Sequence, residues 1–238
     1  MRLVHAVPGA APAQLVVSAD GAEARAGTAG FGEFGEYAPV PSGAVDLRLA
    51  SGSETVARAS ETLDDGGRYT VAALSEDGGV ELRLYRDGPG KAGVAKLRMI
   101  HATPELGEPE LKVGETVATK PVEYKDATPY LAVEPGTYEV AAIKPGGDDE
   151  AIASRDGVAL SAGSSSTAVI VGSRGEQTRI VVATDATTRP RGAPRTGLGG
   201  LAGGGGDEWL LVLAAALIAG ALGGAAFGAA DAVRRARA

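Results

Sequence analysis

At 238 residues the chain has room for two compact domains and a tail, each domain able to bury its own core. The formal net charge is -7 although three arginines fall in the last five residues, so the rest is more acidic still; this disfavours nucleic acid as a partner and suits an acidic, soluble outer surface. With no cysteine, neither a disulfide framework nor thiolate metal or redox chemistry is open to it, and stability has to come from burial.

In chain order, the first block is "RLVHAVP" at 2–8, followed by a short "LVVSADG" segment. Phe31, Phe34 and Tyr37 come next as the nearest thing to an aromatic group, read as core rather than as a binding face. Apolar residues then recur with a period of two, at Val45, Leu47 and Leu49, at Tyr69, Val71 and Ala73, and at Val80, Leu82 and Leu84. This is the signature of half-buried strands. Turn signals separate them: "ADG" at 19–21, "PSG" at 41–43, "DDGG" at 64–67 and "EDGG" at 76–79. The run Asp65-x-Gly67-x-Tyr69 entering a strand has the pattern of a tyrosine corner, in which the phenol bonds back to the turn.

The chain then repeats itself. "RLVHAVP" returns as "RMIHATP" at 98–104, "YAPVPSGAVDLRL" (37–49) as "YLAVEPGTYEVAAI" (130–143), and "YTVAAL" (69–74) as "STAVIV" (166–171). Three matches in the same order mark two homologous units. The expected organisation is repeat 1 over 1–87, a joint "GPGKAGVAK" at 88–96, and repeat 2 over 97–185. No stretch before residue 209 carries a sustained helical stripe, so the fold class expected is all-β: two tandem antiparallel sandwiches with many turns.

The block R-[LM]-[VI]-H-A-x-P, the short "LVVSADG" strand and the aromatic before Y-x-x-V-x-[SP]-G together resemble the DUF4397 family, a domain of unknown function. Its members are often tandem in secreted and surface proteins of high-GC Gram-positive bacteria. The second copy, with "VEYKDATPYLAVEPGTYEVAAI", fits more closely. The first is shorter between Phe34 and Tyr37, and the second has "KVGE" where the first has "ADG". The resemblance implies immunoglobulin-like or related β-sandwiches and an extracellular setting, and it implies no reaction.

A search for chemistry gives little. His5 and His101 hold the same place in the two repeats, which points to a repeated structural task such as a strand-end hydrogen bond; zinc would need three or four converging ligands. No G-x-S-x-G elbow is present, and "SAGSSSTAV" at 161–169 reads as a polar turn before a strand. Asp64 and Asp65, or Asp148, Asp149 and Glu150, offer oxygen ligands for calcium but lack D-x-D-x-D spacing. The glycine run at 199–206 lacks the Gly-Lys-[Ser/Thr] ending of a phosphate loop. The expectation is a protein without catalytic residues, metal or cofactor.

Residues 209–230 carry no charge and are long enough to cross a bilayer as a helix, with Trp209 at one border and Arg234, Arg235 and Arg237 beyond the other. The arginines are expected to stay in the cytoplasm, leaving both repeats outside. Ala216, Gly220, Gly224 and Gly228 fall on one face as small-xxx-small steps suited to close helix packing. The glycine-rich stretch 186–208 ahead of the span reads as a flexible stalk. It contains "APRTG", and the order of this motif, a spacer, an apolar segment and a basic tail (231–238) resembles the sorting signal that sortases read. Pro194, Thr196 and Gly197 match that signal, while Ala193 stands where it has leucine.

Two fates follow: transfer to peptidoglycan at Thr196, or a permanent single-pass anchor. Met1 runs straight into the first strand without the basic and apolar regions of a secretory leader, so the expectation is either that the exported form begins upstream or that the span itself acts as a late targeting signal. The sequence thus points to a non-enzymatic cell-envelope protein that displays two β-domains for spacing, adhesion or recognition of a surface ligand. The alternative is an accessory factor or enzyme acting on envelope glycans, with calcium on its acidic loops.

Overall fold

Among the described residues, eight strands make up each repeat. In the first they are β1 (Arg2–His5), β2 (Ala13–Ala19), β3 (Ala22–Ala29), β4 (Glu33–Phe34), β5 (Gly43–Ser51), β6 (Glu54–Leu63), β7 (Tyr69–Glu76) and β8 (Gly79–Arg86). The second has β9 (Ala95–His101), β10 (Glu110–Val113), β11 (Thr116–Val117), β12 (Leu131–Val133), β13 (Gly136–Ile143), β14 (Ala151–Leu160), β15 (Ser164–Ser173) and β16 (Glu176–Thr187), with a 3-10 turn at Pro104–Leu106. The computed structural model describes residues 1–146, 150–173 and 176–188. The described residues belong to one compact unit; the span at 209–230, the "APRTG" stretch and the basic tail lie outside the described residues. Among the described residues, no helix is long and apolar enough to cross a membrane.

Each repeat is two four-stranded sheets, ordered β4-β1-β7-β8 and β3-β2-β5-β6 in the first and β12-β9-β15-β16 and β11-β10-β13-β14 in the second. The inward faces share one core per repeat: Leu3, Val71, Ala73 and Leu82 meet Leu15, Val17, Leu47 and Leu49, as Leu97, Met99 and Ile170 meet Leu111, Val140 and Leu160. The all-β expectation is met, but the sheets are not purely antiparallel. β1 runs parallel to β7, with Leu3 opposite Val71, and β9 runs parallel to β15, with Ile100 opposite Val169. Period-two alternation reports which face of a strand is buried and nothing about its neighbour's direction. The boundaries also shift slightly: Ala95 and Lys96 of the expected joint belong to β9, and β16 reaches Thr187.

The turn chemistry is local and legible. Asp20-Gly21 and Asp77-Gly78, all four with positive φ, close the two-residue hairpins β2–β3 and β7–β8. Paired positive φ angles match the twist of the flanking strands, and Asp-Gly tolerates them. Tyr69 makes the corner its spacing predicts: its hydroxyl accepts the Asp64 N–H at 2.9 Å, and the ring lies where a Cβ on Gly67 would be, 2.5 Å away. Repeat 2 builds its own version elsewhere, with the Tyr138 hydroxyl donating to the Glu134 carbonyl at 2.9 Å over Gly136.

Because the ring fills the space above Gly67, Gly67→Ala is expected to cost about 1–3 kcal/mol through forced displacement of Tyr69. Tyr69→Phe, which loses only the hydrogen bond, should cost about 1 kcal/mol. Urea unfolding of both variants tests this ranking.

Candidate functional site: a crossed charge clamp between the repeats

The β1–β7 and β9–β15 sheets are buried on both faces. Every residue from Tyr69 to Leu74 and from Ser164 to Gly172 is buried, which period-two alternation alone does not produce. The outward faces explain it. Val4, Ala72, Leu74 and Tyr85 of repeat 1 pack against Ile100, Val169, Val171 and Val181 of repeat 2 in a third core. Phe31, Phe34 and Tyr124 pack against that cluster. Phe31 and Phe34, read from the sequence as repeat 1's own core, belong instead to the seam.

The same alternation carries polar groups onto the seam. Arg2 and Arg98 precede Val4 and Ile100 by two residues, and Thr70 and Thr167 precede Ala72 and Val169 by two. Arg2 Nε donates to Thr70 Oγ1 of its own repeat at 3.0 Å, while Nη1 reaches across to the Thr184 carbonyl at 3.1 Å and Nη2 to Asp185 Oδ1. Arg98 does the same in the opposite sense. Its Nε donates to Thr167 at 2.8 Å, Nη1 to the Arg86 carbonyl at 2.8 Å, and Nη2 to Asp87 Oδ1 at 2.5 Å.

Each aspartate is steadied by its own repeat. Thr70 (2.9 Å) and Tyr37 (2.6 Å) donate to Asp87, as Thr167 (2.8 Å) and Tyr130 (2.6 Å) donate to Asp185. The guanidinium of Arg2 also lies over Tyr37 at 4.7 Å and that of Arg98 over Tyr130 at 4.8 Å. Both arginine and both aspartate side chains are at most 5% exposed. Among the described residues no buried side-chain nitrogen or oxygen lacks a partner. Burial raises Asp185 above the ordinary carboxylate value, with Arg2 opposing, and it pushes the Tyr37 and Tyr130 phenols well above the usual tyrosine range.

Corresponding strands and clamp residues recur once in each half of residues 1–188, and the profile of a domain of unknown function, DUF4397, matches residues 1–108 and again 95–195. The chain belongs to the DUF4397 family. No curated protein matches it.

In these DUF4397 repeats the histidines do repeat one another. The Val7 N–H donates to His5 Nδ1 at 3.3 Å and the Thr103 N–H to His101 Nδ1 at 3.4 Å, and His101 Nε2 donates to the Gly107 carbonyl at 2.7 Å. Burial lowers both imidazoles below their ordinary value, so each is held neutral at the end of its strand. Among the described residues, no three His, Asp or Glu converge on one point. Asp64 is paired with Arg86 at 2.5 Å and Glu150 with Lys144 at 3.2 Å, while Asp148 and Asp149 lie outside the described residues. So do Pro194, Thr196, Gly197, Ala216, Gly220, Gly224, Gly228, Arg234, Arg235 and Arg237.

Sequence reasoning missed the clamp itself. The available signal was an arginine opening the "RLVHAVP" and "RMIHATP" blocks of both copies, on strands otherwise buried. With their acceptors filled, the two carboxylates serve as fixed counter-charges; the arrangement fastens two domains.

Two outcomes follow. Arg2→Ala strands Asp185 in a dry seam and should cost about 3–5 kcal/mol, whereas Arg2→Met with Asp185→Leu should cost less than the sum of the single changes; chemical unfolding of the cycle tests it. The histidines give a pH dependence. Their folded values lie below the unfolded 6.5, so their contribution is complete above pH 6.5 and is lost as pH falls through the lowered values. Tm should therefore decline on acidification below 6.5, and less steeply in His101→Gln than in the parent.

Proposed function

We propose that this DUF4397 protein is a non-enzymatic cell-envelope component that presents its paired repeats on the outer side of the membrane. The carrying observation is the order of segments in the sequence: β-repeats, a Gly/Pro-rich stretch with Pro194, Thr196 and Gly197, an uncharged run at 209–230, and Arg234, Arg235 and Arg237. In this reading the C-terminal run anchors the chain, or sortase cuts after Thr196 and joins it to peptidoglycan. Each repeat is then an immunoglobulin-like sandwich, supported by two face-to-face sheets over one core and by the Tyr69 corner.

The clamp favours display over catalysis. Its chemistry-bearing side chains are spent on one another, and so are the histidines on their turns. Contact with a surface ligand then falls to the outward faces of β3-β2-β5-β6 and β11-β10-β13-β14 and to their hairpins.

The test is to fractionate the native cells, digest the wall with a muramidase and weigh the C-terminal peptide. A peptide ending at Thr196 with a wall fragment establishes sortase transfer. An intact Ala238 in the detergent-soluble membrane establishes the anchor, and recovery of the chain in the cytosol overturns the envelope reading.

A further inference from the structure

The clamp is self-complementary. Arg2 takes Asp185 as Arg98 takes Asp87, and Arg2 takes the Thr184 carbonyl as Arg98 takes that of Arg86, so the contacts are related as in a two-fold dimer. By these contacts alone, two copies of repeat 2 would fit each other as well as repeat 2 fits repeat 1. The ends of the seam break the equivalence.

The ladders identify the corresponding residues. Leu74 faces Glu81 in β7–β8 as Val171 faces Arg179 in β15–β16, so Glu81 and Arg179 occupy one position. Gly32 and Lys125 occupy another, since the N–H of Gly32 donates to His5 O at 2.8 Å and that of Lys125 to His101 O at 2.9 Å, with φ of 74° and 70°. At one end Lys125 crosses to Glu81 at 2.5 Å and also to Glu76. At the other, the Arg179 guanidinium donates to the Phe31 carbonyl at 3.1 Å, stacks on the Phe31 ring at 4.9 Å, and fills the place a Cβ on Gly32 would take.

Neither end contact can form between two copies of repeat 2. If repeat 2 met another repeat 2, the Lys125 side chain would stand where Arg179 lies, cation against cation, at both ends of the seam. Lys125 is also one of three non-glycine residues with positive φ among those described, in a conformation for which its counterpart uses glycine. A lysine kept there at a backbone cost indicates that its side chain is needed. Repeat 1 carries no such block, because a like pair would set Glu33 toward Arg83, as Asp126 now lies 3.8 Å from Arg83.

We propose that Lys125 and Arg179 together bar repeat 2 from pairing with a second copy of itself, so that the clamp face of each chain closes on its own repeat 1. The partner this face fits is the unlike repeat, which the short tether supplies at an effective concentration in the millimolar range. Blocking one like pair suffices, since a chain whose repeat 2 is taken has no repeat 1 face left over.

The test uses the full chain in mild detergent, with two differently tagged copies co-expressed and the fraction recovered together measured. Lys125→Glu and Arg179→Glu each turn the like pair of repeat 2 from repulsive to attractive. Either is expected to raise co-recovery roughly tenfold or more over the parent. Adding Glu76→Lys and Glu81→Lys to Lys125→Glu restores the unlike pair and should return co-recovery to the parental level. Association through the tail is common to all variants and sets the baseline. Should Lys125→Glu lose its cooperative melting transition, Arg179→Glu decides, because its guanidinium makes its hydrogen bond and its ring contact at Phe31 and, among the described residues, no ion pair. Parental co-recovery in every folded variant overturns the proposal.

Discussion

Two guanidinium groups lie out of water between the repeats, and the rest of the fold has to accommodate that. Apolar packing of Val4, Leu74, Ile100 and Val171 is non-directional and would allow one sheet to slide over the other. A buried cation does not permit such sliding, because each lost hydrogen bond leaves a desolvated charge. Arg2 and Arg98 are each tied at three nitrogens to three groups. That fixes the register of β1 on β7, of β9 on β15, and of one repeat on the other. Buried ion pairs contribute little net stability compared with an apolar seam, so position is what this one supplies.

The sequence made the strands, the hairpins and the duplication readable for a plain reason: they depend on neighbours close in the chain. Period two at Val45, Leu47 and Leu49 requires only that one face be buried, and Asp-Gly at 20–21 and 77–78 closes its hairpin from local backbone preference. The Tyr69 corner is likewise closed within five residues of chain. What could not be read depends on distant partners. The parallel pairing of β1 with β7 joins segments nearly 70 residues apart, and the seam places Arg2 beside Asp185. One clue was in view: in "YTVAAL" and "STAVIV" neither face carries a charge, as for a strand covered on both sides, and Arg2 and Arg98 were the charges left to be buried with them.

Pairing of the inner sheets also sorts the molecule into two kinds of surface. The faces of β1, β7, β9 and β15 are consumed by the seam, while β6 and β14 alternate toward solvent. Variation on the outer strands meets few packing constraints; variation on the inner ones meets two cores at once. A duplicated domain that joins its copies in this way keeps two exposed sheets and hides the two sheets least able to tolerate change.

The two halves of the clamp differ in one respect that symmetry conceals. Arg98 finds Asp87 only 11 residues away, across the joint, whereas Arg2 finds Asp185 at a separation of 183. A chain emerging from the ribosome N-terminus first can therefore bring Arg98 to Asp87 and the Arg86 carbonyl as soon as β9 appears, with Thr167 following later. Repeat 1 must hold its first arginine and its apolar outer face uncovered until the last strand arrives. Such late, long-range closure is the kind of step that slows assembly and leaves sticky surface exposed in the interval. The residues of β1 reach their final environment only when almost all of residues 1–188 has been made.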